Sequence, residues 1–375
     1  MIRIKEVVTK EDYEAFADFA RDLYRDNPYW VQPIRSDYLK YLKGKNNELL
    51  DFPHKLFLAY DGKKLVGRVL AYIDEDLNKF QKIKVGYFSE YEAIDHQEVA
   101  DALLDACVEF FKEQGMDTLR GPNTLPGGDD HRGFMINHFD RRPSIMNTYN
   151  LSYYPSQMEA YGLKKYHDVF AYTATPKNLQ AKIDRLERTL PLVEKRYKFH
   201  VDTVDIKRNL QREKDDIHQI LAEGLPSDWE DFKPITKKDV DNIFSQLAPY
   251  AIDDLIVVAR TNQGEPIGFG LSLPDYNEIL IKFKGKLGPI QMLQFVLHRK
   301  KIKRVRVFVL VVIPAYRSKG VSAAIYYKLF QSAMKLGYEE VEGSTIWDYN
   351  KLMINDIEKI GAVKDIIYRL YEKKI

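Results

Sequence analysis

The sequence predicts an α/β fold built twice over, and two observations carry that reading. One order of elements, strand–helix–hairpin–strand–helix–strand–helix–strand, runs through residues 2–174. It returns over 199–373 after a helical segment at 177–199, which splits the chain near residue 175. The second copy contains a strand–turn–helix over residues 304–338. There a β-branched run (Val305, Val307, Val309, Val311, Val312, Ile313) stops at Pro314. Arg317-Ser318-Lys319-Gly320 then turns the chain, and a helix opens at Val321-Ser322. At 375 residues and 45% hydrophobic side chains, the chain is long and apolar enough for two cores.

In the first copy, a strand over 2–8 leads to a helix after Thr9, with Phe16, Phe19 and Leu23 on its inner face. A tyrosine-rich stretch, "NPYWVQPIRSDYLKYLKGKNN", precedes a hairpin over 54–74 whose Asp61-Gly62 predicts a type I′ turn. A strand over 82–92 and an amphipathic helix over 96–116, ending near Gly115, follow. A strand at 117–122, a long loop over 123–144, a short helix at 153–163 and a strand at 168–174 complete the copy. In the second copy, Pro176 opens the 177–199 helix and Leu190-Pro191 is expected to break or kink it. Next come a strand at 199–205, a helix at 209–225 and a hairpin at 255–275, turning around Asn262–Gly264. A Lys- and Leu-rich insert over 277–303 precedes the strand–turn–helix. A strand at 339–346, a helix at 348–361 and a strand at 365–373 end the pattern.

Charge is nearly balanced, with 57 basic against 55 acidic residues, which argues against bulk attraction to nucleic acid or membrane. The single cysteine, Cys107, sits on the apolar face of a predicted helix and reads as a buried structural thiol; one thiol permits no disulfide framework. The N-terminal stretch reads as a strand and a capped helix rather than a signal peptide. No apolar run is long enough to span a bilayer. The expectation is a cytoplasmic, reduced protein.

The strand–turn–helix has the chemistry of an anion cradle. Amides of the first helical turn lack intrahelical acceptors, and the helix dipole favours negative charge at their mouth. Arg317 and Lys319 add positive charge, and Gly320 allows close approach of the backbone. "RSKGVS", residues 317–322, is similar to the acyl-CoA-binding signature Gln/Arg-x-x-Gly-x-Gly/Ala of the GNAT (Gcn5-related N-acetyltransferase) superfamily. The element order of both copies is also the GNAT order. Over nearly its whole length the chain resembles a bacterial tandem-GNAT family, through segments such as "LRGPNTLPGGDDHRGFMINHFDRRPSIMNTYNLSYY", "RVRVFVLVVIPAYRSKG" and "WDYNKLM".

The resemblance implies two GNAT-like domains, 1–175 and 176–375, each a mixed, mostly antiparallel sheet flanked by helices. It implies direct transfer of an acyl group from acetyl-CoA or another acyl-CoA, with no metal. The acceptor would be a small-molecule or peptide amine in a cleft between the domains. Arg317, Ser318, Lys319, Gly320, Val321 and Ser322 would hold the pyrophosphate. A backbone N–H of Val311 or Val312, on a strand that splays from its neighbour, would meet the oxyanion, and Asn350 would contact the CoA arm. Glu342 is the candidate base, with Asp348 and Tyr349 at the end of the same strand; a solvated Glu342 and an Asp348 helix cap are the structural alternatives. Asp275 and Glu278 are further carboxylates that could face the cleft.

Three departures from the pattern stand out. Ser322 occupies the sixth signature position, where its hydroxyl could donate to a phosphate. Ile357 occupies the place where a tyrosine often protonates the CoA thiolate. The first copy lacks the glycine signature and carries Asp95, Glu98 and Asp101 where a pyrophosphate would lie, so it reads as a non-binding copy. "GGDDHRG", residues 127–133, reads as a polar turn before a metal site, and "HRKKIKRVR", residues 298–306, as a solvated helix end before a CoA-phosphate or RNA contact. Two rivals accompany the acyltransferase: a transferase of the same fold using aminoacyl-tRNA, which the balanced charge disfavours, and a non-catalytic CoA- or metabolite-binding protein, which Ile357 favours.

Overall fold

A computed structural model of the chain describes every residue except Asn46, Asp129, Asp130, Ser227, Asp228, Asp231, Ala248 and Pro249. The chain divides into two compact units that interleave in sequence. Unit 1 comprises Met1–Val169, Tyr276–Lys300 and Ile366–Ile375; unit 2 comprises Phe170–Asp275 and Lys301–Asp365. The expected division near residue 175 follows the repeat, whereas these units follow packing, which returns residues 276–300 and 366–375 to the first unit.

In chain order the first elements are β1 (Ile2–Glu6), α1 (Lys10–Leu23), α2 (Arg35–Leu42), β2 (His54–Asp61), β3 (Lys64–Tyr72), α3 (Glu75–Gln81), β4 (Val85–Ala93), α4 (Gln97–Glu113), β5 (Thr118–Gly121), β6 (Phe134–Met135) and α5 (Tyr154–Ala160). Then follow β7 (Lys164–Ala174), α6 (Pro176–Tyr197), β8 (Phe199–Thr203), α7 (Ile206–Gly224), α8 (Lys237–Leu247), β9 (Ile256–Thr261), β10 (Pro266–Pro274), α9 (Asn277–Phe283), α10 (Pro289–His298), β11 (Arg304–Val312), α11 (Val321–Lys335), β12 (Glu340–Trp347), α12 (Lys351–Lys359) and β13 (Val363–Lys374).

In unit 1 the strands run β1-β2-β3-β4-β5-β13, and every pair is antiparallel except β4–β5. One face packs on α4 and α5 through Val99, Leu103, Cys107, Phe111 and Met158; the other packs on α1 and α2 through Phe16 and Leu42. Cys107 is fully buried, and burial pushes its thiol far above the ordinary value, in keeping with a structural role. Thr9 and Asp12 form the capping box that starts α1. The β2–β3 turn differs from expectation. Asp61 pairs with Lys64, so Gly62-Lys63 makes the turn, and Gly62 alone has positive φ, whereas type I′ requires it at both central positions.

In unit 2 the strands run β8-β9-β10-β11-β12, with β11–β12 as the parallel pair. Its core joins α7 (Ile217, Ile220, Leu221) and α11 (Val321, Ile325, Leu329) to the sheet. Pro191 does not break α6, which is continuous from Pro176 to Tyr197. Leu179 and Leu190, both buried, anchor its inner face, and Pro191 falls on the exposed side. No helix among the described residues is long and apolar enough to cross a membrane.

Candidate active site

The turn after β11 adopts the geometry expected of an anion cradle. Ser318 and Gly320 both have left-handed backbones, with φ of 60° and 80°. Gly320 caps α11: its carbonyl accepts the first helical bond from Ala324 N–H at 3.0 Å, so the amides of Val321, Ser322 and Ala323 precede the helical ladder. A Cβ at Gly320 would lie 2.8 Å from Val193 Cγ1 of α6, so close approach and positive φ both demand glycine.

The cationic side chains of the turn have definite places. The Arg317 guanidinium donates through Nε to the Val312 carbonyl at 3.2 Å and through Nη2 to the Gly224 carbonyl at 2.5 Å. It thereby holds the turn against the end of α7 rather than reaching outward as a counter-charge. Lys319 lies over the Tyr316 ring, 4.7 Å from its centroid. The Ser322 hydroxyl, expected to be able to donate to a phosphate, donates to Asp356 Oδ2 of α12 at 2.9 Å.

β11 and β12 are in register only from Arg304↔Glu340 to Val307↔Gly343, while both strands continue beyond those residues. The strands therefore splay. The irregularity begins where Val307 and Val309 face Ser272 and Leu271 of β10, with Phe308 as the extra residue of a bulge. Ile313 N–H bonds Ile267 O at 3.0 Å on β10. By alternation, the N–H groups of Val311 and Val309 also face β10, and those of Val312 and Leu310 face the side that β12 has left. Of the two valines expected at the oxyanion position, Val312 has the N–H on the open side.

Glu342 is buried, not solvated. Its Oε1 accepts from Ser344 Oγ at 2.7 Å. The buried Arg306 guanidinium donates through Nε to Ser344 Oγ at 2.9 Å and through Nη2 to the Ser344 carbonyl at 3.1 Å. Arg306 and Glu342 face each other on the penultimate registered rung, and Ser344 lies one residue past the last. Strand alternation pointed to Glu342 and Ser344 on one face; Arg306, opposite Glu342 on the parallel strand, needed the strand pairing to be found. The other face of the same rungs is apolar. Val307, Val341, Gly343, Leu329, Tyr326 and Ile357 are among the residues lining a cavity of about 50 Å³.

Asn350 is the N-cap of α12: its Oδ1 accepts from Met353 N–H at 3.2 Å. Asp348 is not that cap; its carbonyl accepts from Lys351 Nζ at 2.6 Å. Tyr349 stacks on Trp347 at 5.3 Å and donates its hydroxyl to the Glu230 carbonyl at 3.2 Å. Ile357 packs toward Gly343, where a Cβ would lie 2.8 Å from Ile357 Cδ1. Asp275 is fully buried at the end of β10, its N–H donating to the Arg304 carbonyl at 2.9 Å, and Glu278 lies in the first turn of α9 in unit 1. In the "GGDDHRG" stretch, Asp129 and Asp130 lie outside the described residues.

In unit 1 the chain past β5 stays on β4, with Asn123 N–H donating to the Phe88 carbonyl at 3.0 Å. β4 pairs with β5 only from Val85 to Tyr87. Beyond that point the buried Tyr91 meets Phe134 and Tyr154 edge-on. Glu92 accepts from Tyr24 at 2.8 Å and from Tyr154 at 2.6 Å, with Arg68 Nη2 at 3.9 Å. Burial raises its carboxyl to about 7, against the lowering pull of Arg68, Tyr154 and Tyr24. Glu90 has positive φ and accepts from Tyr38, and Arg68 lies 3.6 Å from it.

A parallel pair that splays, a left-handed turn and a helix N-terminus make the arrangement expected of the GNAT fold, and comparison with solved structures agrees on the fold. The chain resembles a tandem GNAT protein from the clavulanic acid biosynthesis pathway (TM-score 0.57, 9% identity, covering 100% of this chain and 98% of that one). It also resembles a GCN5-related N-acetyltransferase from Sphaerobacter thermophilus (TM-score 0.52, 10% identity, 100% and 95%). A third likeness is to the glucosamine N-acetyltransferase region of a fungal multi-domain β-N-acetylglucosaminidase (TM-score 0.60, 13% identity), of which the chain spans 38%. The chain has the tandem GNAT fold.

Two curated relatives are similar along almost the whole sequence. Protein YghO of Escherichia coli is 27% identical over 381 residues, 99% of this chain and 95% of that protein. The bacterial ceramide synthase of Caulobacter vibrioides is 26% identical over 381 residues, 98% and 96%. No family model matches the chain.

Proposed function

We propose that unit 2 transfers an acyl group from an acyl-CoA directly to a primary amine. The observation that carries this reading is the splay of β11 from β12 beside the Ser318–Ser322 turn, which sets an open backbone N–H next to an anion cradle. The turn amides from Val321 to Ala323 bind the pyrophosphate, and Lys319 adds charge. The thioester carbonyl lies against Val312 N–H. The amine nitrogen attacks that carbonyl, the amide forms as the carbon–sulfur bond breaks, and Glu342 takes the amine proton, with Ser344 in its hydrogen-bonded path. Tyr349, at the head of α12, supplies the thiolate proton in place of the tyrosine absent at Ile357. Asn350 orders the start of that helix beside the CoA arm. Unit 1, which lacks the glycine turn and keeps the chain past β5 bonded to β4 through Asn123, acts as a non-binding copy. The cytoplasm, where CoA thioesters are made, is the compartment this chemistry fits.

The relative named as a ceramide synthase favours a particular amine. A ceramide is the amide of a fatty acid with a long-chain amino alcohol, so an amino alcohol of that class is the first acceptor to supply. The cavity of about 50 Å³ behind the last registered rungs has room for an acetyl group, or for the first carbons of a longer chain. The test is incubation of the full chain with acetyl-CoA and with palmitoyl-CoA, with and without sphinganine, following free thiol and the amide product by mass. Amide and thiol appearing together, and lost in Gly320→Asp, is the expected result. CoA binding without thiol release from any amine would replace this reading with the non-catalytic one. Turnover with aminoacyl-tRNA alone would replace the donor.

A further inference from the structure

We propose that α10 is a docking helix for an anionic phospholipid surface. Its sequence, Pro-Ile-Gln-Met-Leu-Gln-Phe-Val-Leu-His, places Ile290, Met292, Leu293, Val296 and Leu297 in water, each more than half exposed. At about 100° per residue these five side chains share one continuous arc of roughly 160°. Leu287, just before the helix, is also more than half exposed. Scattered apolar residues on a surface are ordinary, but a contiguous apolar helix face marks an interaction site.

The helix is held in place with that face outward. Phe295, on the opposite side, packs on Tyr276 at 5.3 Å. Gly288 N–H donates to Gln291 Oε1 at 3.1 Å, closing the first turn. The preceding segment is anchored within unit 1: Arg35 N–H bonds the Gly285 carbonyl at 2.9 Å, Asn277 bonds the Pro143 carbonyl at 3.3 Å, and Phe283 is buried. The apolar arc is therefore a presented surface on an anchored element.

Charge selects the occupant. Exposed Lys282, Lys284 and Lys286 precede the helix, and exposed Arg299 and Lys300 follow it. The sequence contains no Asp or Glu between Glu278 and Glu339. A second copy docking through this face would bring two cationic rims together. An anionic headgroup layer instead accepts the rim, while the apolar arc enters the acyl boundary, as for interfacial amphipathic helices. The near-zero net charge, from which no membrane attraction was expected, averages over this asymmetry. The proposal stands on α10 and its flanks alone, so it can fail while acyl transfer holds, and the reverse.

The test is co-sedimentation of the full chain with vesicles of phosphatidylcholine alone and of phosphatidylcholine mixed with phosphatidylglycerol, at low and high salt. Binding to the mixed vesicles that weakens with salt is expected. Leu293→Ser with Leu297→Ser should weaken it about tenfold or more, and so should Lys284→Gln with Lys286→Gln, Arg299→Gln and Lys300→Gln. All these side chains are exposed, so the thermal midpoint should not move; it is measured alongside. No vesicle binding by the parent chain, or equal binding by both variants, overturns the proposal. A dimer that the leucine variant dissolves also overturns it, and assigns the face to a second copy.

Discussion

The Ser322 hydroxyl donates to Asp356 at 2.9 Å, tying the first turn of α11 to the middle of α12. The contact sets a carboxylate beside the helix N-terminus that would otherwise serve an anionic ligand alone. Asp356→Asn should therefore tighten acyl-CoA binding by about two- to fivefold, the size of a charge–dipole interaction near a helix end. Ser322→Ala should leave affinity within about twofold, since the amides remain. Titration calorimetry with CoA reads both, and weaker binding by Asp356→Asn would place the ligand elsewhere.

Gly320 combines a left-handed backbone with the approach of Val193. Gly320→Ala should destabilise unit 2 by about 1–2 kcal/mol through the positive φ alone. The shift of the turn should weaken CoA binding by about tenfold. A thermal melt and a CoA titration on the same preparation separate the two effects. Unchanged affinity would mean that the turn is not the cradle.

Glu342, Ser344 and Arg306 form one buried network, but their loss should read differently. Glu342→Gln keeps shape and hydrogen bonding while removing the proposed base, so kcat should fall by about 10²- to 10⁴-fold with KM for acyl-CoA little moved. Arg306→Met strips the guanidinium from Ser344 and leaves Glu342 buried, and should cost about 3–5 kcal/mol of stability. Comparable kcat for Glu342→Gln and the parent chain would assign the carboxylate to architecture alone.

Glu92 links unit 1 to pH. Burial raises its carboxyl from 4.5 to about 7, so the native chain holds this proton more tightly than the unfolded chain does. Its contribution is fully present below about 4.5 and is lost as pH rises through about 7, by roughly 3 kcal/mol in all. Glu92→Gln, which still accepts from Tyr24 and Tyr154 beside Arg68 and Glu90, should gain stability relative to the parent chain across that window. Denaturant unfolding at pH 4 and pH 8 checks it; a gain only on the acid side would contradict the assignment.

The order of elements and the turn at 317–322 were legible because period, proline and glycine act locally. The separation of β11 from β12 was legible only through the family resemblance, since the end of a ladder is a relation between strands. The Arg306–Ser344–Glu342 cluster could not be assembled from alternation on one strand, because its arginine comes from the neighbouring one. The partner of the Ser322 hydroxyl, Asp356, was hidden for the same reason: it arrives from a different helix. Local chemistry misled at Pro191, where the packing of Leu179 and Leu190 outweighs a missing N–H.

The strand that pairs with β5 in unit 1 is supplied by residues that follow all of unit 2 in the sequence. Tyr371–Lys374 of β13 pair with Gly121–Thr118 of β5, and Tyr368 and Arg369 with Met135 and Phe134 of β6. During synthesis, a ribosome that has delivered residues 1–169 has made most of this unit but not the strand that pairs with β5. The edge of β5 must wait, unpaired, while all of unit 2 is translated. The two units must therefore mature together, and a stop codon shortly after residue 365 would disable the half of the protein that was made first.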